Sequence, residues 1–579
     1  MTPSQSLTVP PPPPSPSPAP ASTPAPRAES FLARAFGVTA VLSAAGSALG
    51  LLRDLLLARF FGADEGTDAF LVAWTVPETA APLMIEDAMA FLMIPAFSLA
   101  LVLREERPDG PDPVGQLTAA TLPGLLAVLC ALSGATTFWA PQVVHALAPG
   151  LADPTLAVTC TRITAITILP FGVAGYLGAA LRAHHRFTAP AGIYVAYNLG
   201  ILAVLTACHT LLGVRAAALG VAFGSLLMAG VLVGPFTARL RAGRRPARSV
   251  GPARARGLVL SPLALLPVAA FTLSRQSQVF IERYLGSDLP AGTISHLNYA
   301  AKVSQLAMTT AILICTVTFP LVARALAAGD LETARDRVEK DLGQAAAVVL
   351  AGMAFLFACA HPVVALLFQR GAFDAADTRA TAQVIQVYSF GLLAQALIGV
   401  MVRPFFSMRP AVRRADDPGP EHAGGGLLDW YPVAVMAVGL VITTTVGRLA
   451  MPDYGALGLA AGNAAGISTT AVLLLRGLSL RGIALRMPQV LGGQARLLAA
   501  AAGAAAVGTV AAEVSTVPVL SIAAGGLAVL FGYVALGTLF GARELRGPVR
   551  SALRLVRRAG TRVPDPRDIP EEGALSDGH

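Results

Sequence analysis

Charge is scarce in this chain, and lysine is almost absent. Asp, Glu, Lys and Arg make up 13% of its 579 residues, against roughly 25% in an ordinary soluble domain. Of 43 basic residues only Lys302 and Lys340 are lysine. A set of soluble domains is therefore excluded. The five cysteines, Cys130, Cys160, Cys208, Cys315 and Cys359, stand in apolar segments without metal-ligand spacing, which excludes a disulfide framework or a zinc site and reads as small buried hydrophobes. No glycine-rich loop that would cradle a nucleotide phosphate is present, so ATP hydrolysis on this chain is excluded. His184–His185 has no further ligand at helical spacing, and no metal or other cofactor is expected. A cleavable signal peptide is not expected either, because the first apolar stretch begins near Phe31, behind a Pro/Ser/Ala-rich tail that includes Pro10–Pro14.

What the chain does have is apolar length. Hydrophobic residues are 54% of it and the mean hydropathy is +0.63. At about 20 residues per membrane-crossing helix, the pattern predicts an all-α polytopic membrane protein of about 14 spans. They run from Phe31–Phe61 and Asp68–Leu103 through Leu117–Trp139, Leu156–Leu181, Pro190–Leu212, Ala216–Phe236, Leu260–Ile281 and Ile294–Val322. The remainder are Ala345–Phe368, Ala380–Phe405, Val433–Leu449, Ala456–Leu475, Leu497–Val514 and Val517–Phe540. Pro77, Pro82 and Pro95 predict bends in the second. The organisation that follows is a disordered Pro-rich tail (1–30), an N-terminal lobe (31–240), a basic loop (241–256), a C-terminal lobe (257–480), two further spans (481–541) and a basic tail (542–579).

The net charge of +9 does not point to nucleic acid, because the arginines gather in alternate loops. Arg239–Arg256, Arg182 with Arg186, Arg476–Arg496 and Arg543–Arg558 all fall on the side of the N-terminus, while Pro141–Pro154 has neither Lys nor Arg. By the positive-inside rule both termini are cytoplasmic and the protein is multi-pass in a bacterial cytoplasmic membrane. Leu545–Val556 reads as an amphipathic surface helix or as a solvated basic tail. The polar, Gly-rich stretch Arg413–Gly426 reads as a flexible insertion.

The densest functional signal is Gly50–Phe70, GLLRDLLLARFFGADEGTDAF, which sets Arg53, Asp54, Arg59 and Asp68 in or beside an apolar run. A charge at such depth costs about 2.5–3.5 kcal/mol on insertion scales and usually faces a cavity or a partner. For Arg59 and Asp68 a water-facing turn is the competing placement. An internal repeat sharpens the picture. LLLARFFG (Leu55–Gly62) matches VFIERYLG (Val279–Gly286) at an offset of 224, Pro95 matches Pro320 at 225, and Phe171–Gly172 matches Phe390–Gly391 at 219. Such ordered matches predict two related six-span halves with the same orientation, a substrate site between them near mid-membrane, and alternating access by rocking.

Several segments resemble the MurJ (MviN) family of lipid II flippases, within the superfamily of multidrug, oligosaccharidyl-lipid and polysaccharide exporters. They are LGLLRDLLLARFFGADEGTDAFLVAWTVP (Leu49–Pro77), RFTAP (Arg186–Pro190), YLGSDLPAGTISHLNYAAKV (Tyr284–Val303), FPLVARALAAGD (Phe319–Asp330) and LFQRGAFDAADT (Leu367–Thr378). The resemblance implies a two-lobed bundle with a central cationic cavity. It implies a flippase, not an enzyme, that carries an undecaprenyl-diphosphate-linked peptidoglycan precursor to the outer leaflet for cell-wall synthesis. The implied partners are that polyprenyl-diphosphate-linked glycan, membrane lipids and cell-wall synthesis proteins, and the drive is a coupling ion or the membrane potential. Arginine and lysine suit such a diphosphate.

Position by position, the resemblance makes Arg53 the first-helix cavity arginine, with Asp54 as its neighbouring charge partner. It makes Asp68 the acid of the Thr-Asp-Ala-Phe motif, Glu86 a second-helix glutamate, and Lys302 the eighth-helix cation. Ala48 and Ala81–Pro82 stand where the family has arginines, and Asp87 where it has glycine. Arg162 and Arg275, the latter in FTLSRQSQVF, are the compensating cations; Arg275 either contacts substrate or bridges to Glu86 or Asp87. The expected substrate-binding set is Arg53, Lys302, Asp68, Glu86 and Arg275, with Asp54 and Asp87 as charge partners. A flippase or exporter for another polyprenyl-linked glycan or a drug, and a transport-inactive cell-wall scaffold, remain alternatives.

Overall fold

A computed structural model of the chain describes residues 26–106, 112–243, 266–306, 308, 322, 325, 330–407 and 429–545. The described residues are helical and include no strand. In chain order the helices are α1 (Pro26–Phe61), α2 (Glu65–Ala81), α3 (Met89–Glu106), α4 (Pro113–Phe138), α5 (Ala140–Leu147), α6 (Pro154–Ala165), α7 (Ile168–Ala183), α8 (Thr188–Leu212) and α9 (Arg215–Gly243). Then follow α10 (Leu266–Gly286), α11 (293–306), α12 (Leu331–Leu367), α13 (Ala375–Met401), α14 (Arg403–Ser407), α15 (Tyr431–Tyr454), α16 (Ala456–Gly477), α17 (Met487–Ala512) and α18 (Pro518–Leu539). Of the expected segments, Arg413–Gly426, most of the Pro-rich tail, the basic loop beyond Gly243, Pro320 and the C-terminal tail beyond Leu545 lie outside the described residues.

Local chemistry starts these helices where the sequence places polar punctuation. Asp112 and Asp153 each accept backbone N–H bonds as N-caps and each is followed by a proline at the first helical position. The Leu156 N–H and the Thr155 hydroxyl hold the Asp153 carboxyl below its usual range. Asp374 and Asp377 form a reciprocal capping box at the start of α13.

Proline also explains two breaks. Seven residues from Pro82 to Ala88 form a π-helical turn between α2 and α3. The Pro82 ring excludes the carbonyl four residues earlier, that of Glu78, from the helical ladder. The expected span Leu156–Leu181 is in fact two helices, α6 and α7, parted at Ile166–Thr167; Pro170 excludes the Ile166 carbonyl in the same way. Elsewhere the expected boundaries need correction. α1 begins at Pro26, inside the tail expected to be disordered, and α12 begins at Leu331, fourteen residues before Ala345. That extra length carries Glu332, Arg335, Asp336, Arg337, Glu339 and Lys340, too many charges for a membrane span, around a narrow buried stripe of Ala334, Val338 and Leu342.

Among the described residues, eleven helical segments are long and apolar enough to cross a membrane, α6 with α7 counting as one and α13 with α14 as another. The fourteen expected would add the broken α2–α3 pair, the polar α10 and the segment opening with α11, which is described continuously only to 306.

Two bodies are built from these helices. Residues of α1–α9 share one large core around Phe97, Phe171, Tyr176 and Leu205. Residues of α10–α16 share cores around Tyr299, Phe368 and Ile385 and around Met401, Phe405 and Leu474. The end of α1 reaches across, because Ala58 is packed in the second body. Helices α17 and α18 pack on α12 through Leu350, Leu497, Ala504 and Tyr533. α15 and α16 approach so closely that a methyl group on Gly462 would stand 2.6 Å from the Gly447 backbone nitrogen. Close backbone contact of this kind is how helices associate where no hydrophobic force separates side chain from lipid. Among the cysteines, Cys160 and Cys359 are buried as expected, whereas Cys130 is exposed on the outside of the bundle.

Candidate functional site

The two halves are tied together at the face where α1 ends. The Asp68 carboxylate accepts the backbone N–H of Gly292 at 2.7 Å, that of Ser295 at 2.7 Å and the Ser295 hydroxyl at 2.6 Å. Asp68 is 4% exposed. It thus caps α11 from the opposite half, satisfying N–H groups that a helix start leaves unpaired. Beside it the Ala372 N–H donates to the Arg59 carbonyl at 2.9 Å. Gly292 has φ +89°, and a side chain there would collide with the Ala63 carbonyl as well as strain the backbone. Gly150 N–H donates to the Ser287 hydroxyl at 3.2 Å. His296 lies 3.0 Å from the Thr381 hydroxyl and 3.7 Å from Asp377. The Arg59 side chain is exposed at this face.

Deeper in the bundle, the indole of Trp74 lies near two cations. Arg53 donates through Nε and a terminal nitrogen to Asp54 Oδ1 at 2.9 and 2.8 Å, and to Asn198 Oδ1 at 3.2 Å. Its guanidinium lies 4.3 Å from the Trp74 ring centre. Lys302 Nζ is 5.9 Å from the same ring and donates to Glu78 Oε1 at 2.5 Å. Cations over an indole face are attracted by its quadrupole.

Between the halves lies a cavity of about 410 Å³. α2 lines it with Glu78 and Thr79; α10 with Arg275, Gln276, Gln278, Glu282 and Arg283; α11 with Asn298, Lys302 and Gln305; α13 with Tyr388 and Gln395; α16 with Asn463. Its charged groups are three cations, Arg275, Arg283 and Lys302, and two carboxylates, Glu78 and Glu282. Arg283 is 2% exposed and donates to the Ile294 carbonyl at 3.1 Å and Asn298 Oδ1 at 3.0 Å. Asn463 donates to Glu282 at 2.5 Å. The Arg275 side chain is exposed and makes no ion pair among the described residues. The wall therefore offers an exposed cation, the Glu78–Lys302 ion pair, and many carboxamides that can both donate and accept hydrogen bonds.

Of the residues singled out in the sequence, Lys302 and Arg275 share this cavity. Arg53, expected there, does not line it; the guanidinium is held inside the first half by Asp54 and Asn198 and lies near the Trp74 ring. Asp68 does not line it either, being consumed in the contact between halves. Glu86 is exposed and accepts a hydrogen bond from the Tyr194 hydroxyl at 2.6 Å, not from Arg275. The side chain of Asp87 lies outside the described residues. Glu78, Glu282 and Trp74 belong to the site without having been singled out; Glu78 and Glu282 satisfy the same rule, a carboxylate in or beside an apolar run.

Two helical halves tied at one face over a polar, cation-bearing cavity define a multi-pass membrane transporter. The profile described as "Lipid II flippase MurJ" matches residues 57–413. The chain belongs to the MurJ family of lipid II flippases. The probable lipid II flippase MurJ of Rhizobium meliloti is 30% identical over 371 residues, covering 62% of this chain and 67% of that protein. The lipid II flippase MurJ of Burkholderia cenocepacia is 28% identical over 452 residues, covering 75% and 81%. A solved lipid II flippase MurJ in an inward closed conformation shares the fold with a TM-score of 0.67 at 17% identity, covering 87% of this chain and 98% of that one.

Proposed function

We propose that this chain moves an undecaprenyl-diphosphate-linked peptidoglycan precursor across the cytoplasmic membrane, with Lys302 and Arg275 as the cations that meet its diphosphate. The observation that carries the assignment of residues is that these two, from α11 and α10, line one cavity between the halves in a chain of the MurJ family. A diphosphate cannot enter hydrocarbon unaided, and charge-assisted hydrogen bonds from ammonium and guanidinium replace its water. Carboxamides such as Gln276, Gln278 and Gln395 suit the sugar and peptide hydroxyl and amide groups of the head.

In this reading the termini are cytoplasmic and the face held by Asp68 and Gly292 is the outward one. The substrate enters from the cytoplasmic leaflet. Opening of the outward face requires the Asp68 cap and the Ala372–Arg59 bond to part, after which the halves rock about the cavity. The positive excess of the cavity lining ties the movement to the membrane potential or to a coupling ion. The family match favours this reading over a drug exporter or a scaffold.

The test is complementation of a strain depleted of its own flippase. The chain should support growth, and Lys302→Ala and Arg275→Ala should fail to do so at equal membrane abundance. Full growth of both variants would refute the assignment of these cations, and failure of the unaltered chain when well expressed would refute the transport reading itself.

A further inference from the structure

We infer that Glu78 occupies Lys302 in place of the substrate's diphosphate when the transporter is empty, and is displaced when substrate binds. The inference rests on the reading of Lys302 as a diphosphate ligand and adds to it the residue that competes.

Three observations carry it. The carboxylate and the ammonium both line the cavity, 2.5 Å apart, with side chains 22% and 26% exposed, so a cavity ligand reaches the pair. The other cation near Trp74 is paired differently. Arg53 takes its counter-charge from Asp54, the next residue, and neither lines the cavity. One cation near the indole is thus neutralised within its own half and away from the cavity, and the other across the two halves on the cavity wall. Finally, Glu78 stands four residues before Pro82, where α2 gives way to the π-helical turn. Release of its side chain frees the end of a helix whose backbone ladder is already broken.

The physical consequence is a sequence of events. A diphosphate entering the cavity presents more negative charge to Lys302 than one carboxylate does, and the exposed Arg275 on the same wall adds a second contact. Glu78 cannot remain on the ammonium beside a phosphate, because like charges a few ångströms apart repel strongly where water is scarce. Its departure removes a tie between α2 and α11. When the substrate leaves, Glu78 returns and the empty cavity keeps its charge balance without a bound anion. Glu78 is in this sense a positioning residue for the transport cycle.

The experiment uses the purified full-length chain in detergent, with inorganic pyrophosphate and, separately, undecaprenyl diphosphate in mixed micelles as probes. Binding is followed by calorimetry for the unaltered chain, Glu78→Gln, Glu78→Asp and Lys302→Ala. If Glu78 holds Lys302 nine-tenths of the time, removing the competitor tightens apparent affinity about tenfold. Glu78→Gln should therefore bind both probes about tenfold more tightly, and Glu78→Asp should return toward the unaltered affinity. In lipid vesicles Glu78→Gln should half-saturate at lower substrate but turn over more slowly. Unchanged or weaker binding by a folded Glu78→Gln, with Lys302→Ala still abolishing binding, overturns the competition. Unimpaired binding by Lys302→Ala overturns the diphosphate reading and the inference with it. Tightening for pyrophosphate but not for the lipid overturns the assignment of a lipid-borne competitor.

Discussion

Glu78 and Lys302 are 224 residues apart in the chain and 2.5 Å apart in space. The separation equals the offset between Arg59 and Arg283 in the internal repeat. Asp68 and Gly292, joined by a 2.7 Å hydrogen bond, are also 224 residues apart. Both contacts join the second helix of one half to the start or middle of the second helix of the other. Near-equivalent positions can touch only close to the axis that relates the halves, so α2 and α11 line that axis, and the cavity lies beside it.

Arg53 and Asp54 form a pair with side chains only 12% and 5% exposed. Arg53→Ala should leave Asp54 buried without a partner and lower thermal stability in detergent, at a cost of about 3–5 kcal/mol for an uncompensated buried charge. The double variant Arg53→Ala with Asp54→Ala should recover most of that loss. A double variant as unstable as the single one would show that Asn198 and Trp74, not Asp54, set the cost.

Asp68→Asn replaces a carboxylate that accepts three hydrogen bonds with an amide that has one acceptor oxygen. The face where α1 ends should open more often. In a cysteine-free background, Ser304→Cys on the cavity wall should be labelled faster by an impermeant thiol reagent added outside cells when Asp68→Asn is present. Equal labelling rates would count against this face as the outward closure.

Gly462→Ala adds a methyl group against the Gly447 backbone nitrogen, where neither helix can yield by a side-chain rotation. Overpacking of this kind costs about 1–3 kcal/mol. The variant should melt at lower temperature in detergent while binding pyrophosphate with unaltered affinity once folded. Gly234→Ala, where nothing lies within 4 Å, should have little effect by the same measurement.

Arg486 donates to Asp336 at 2.6 Å and to both Glu339 oxygens, joining the start of α17 to the polar extension of α12. The pairing is exposed, so Arg486→Ala should cost no more than about 1 kcal/mol. The difference from the unaltered chain should shrink further in high salt. A large, salt-independent loss would mean that α17 depends on this contact for its docking.

Much of this architecture is legible in local chemistry. Asp112-Pro113 and Asp153-Pro154 announce helix starts because cap and first-turn proline are short-range signals. Pro82 announces the break in α2 for the same reason. The opening of α12 at Leu331 is hidden from a search for membrane spans, since its first turns are heavily charged and their apolar stripe of Ala334, Val338 and Leu342 is narrow. The site divides along the same line. A charge in an apolar run is visible, so Arg53, Lys302, Asp68 and Arg275 stand out, and Glu78 obeys the same rule. Which charges face each other is set by the packing of one half on the other. No residue near Arg53 indicates that Asn198 holds it off the cavity wall, and none near Asp68 that its three donors lie more than two hundred residues away.

The contact between halves at the α1 end is written largely in main-chain atoms. The Arg59 carbonyl, the Ala372 N–H and the N–H groups of Gly292 and Ser295 are present whatever side chains those positions bear. Among the hydrogen bonds described at this face, side-chain substitution can erase the acceptor at Asp68 and the hydroxyls at Ser295 and Ser287. Natural variation is therefore free to drift across most of this face while its closing function is retained, and a scan by alanine would pass over it almost in silence. The exceptions are Gly62, Gly150, Gly292 and Gly371, where any added carbon meets a carbonyl of the opposite half.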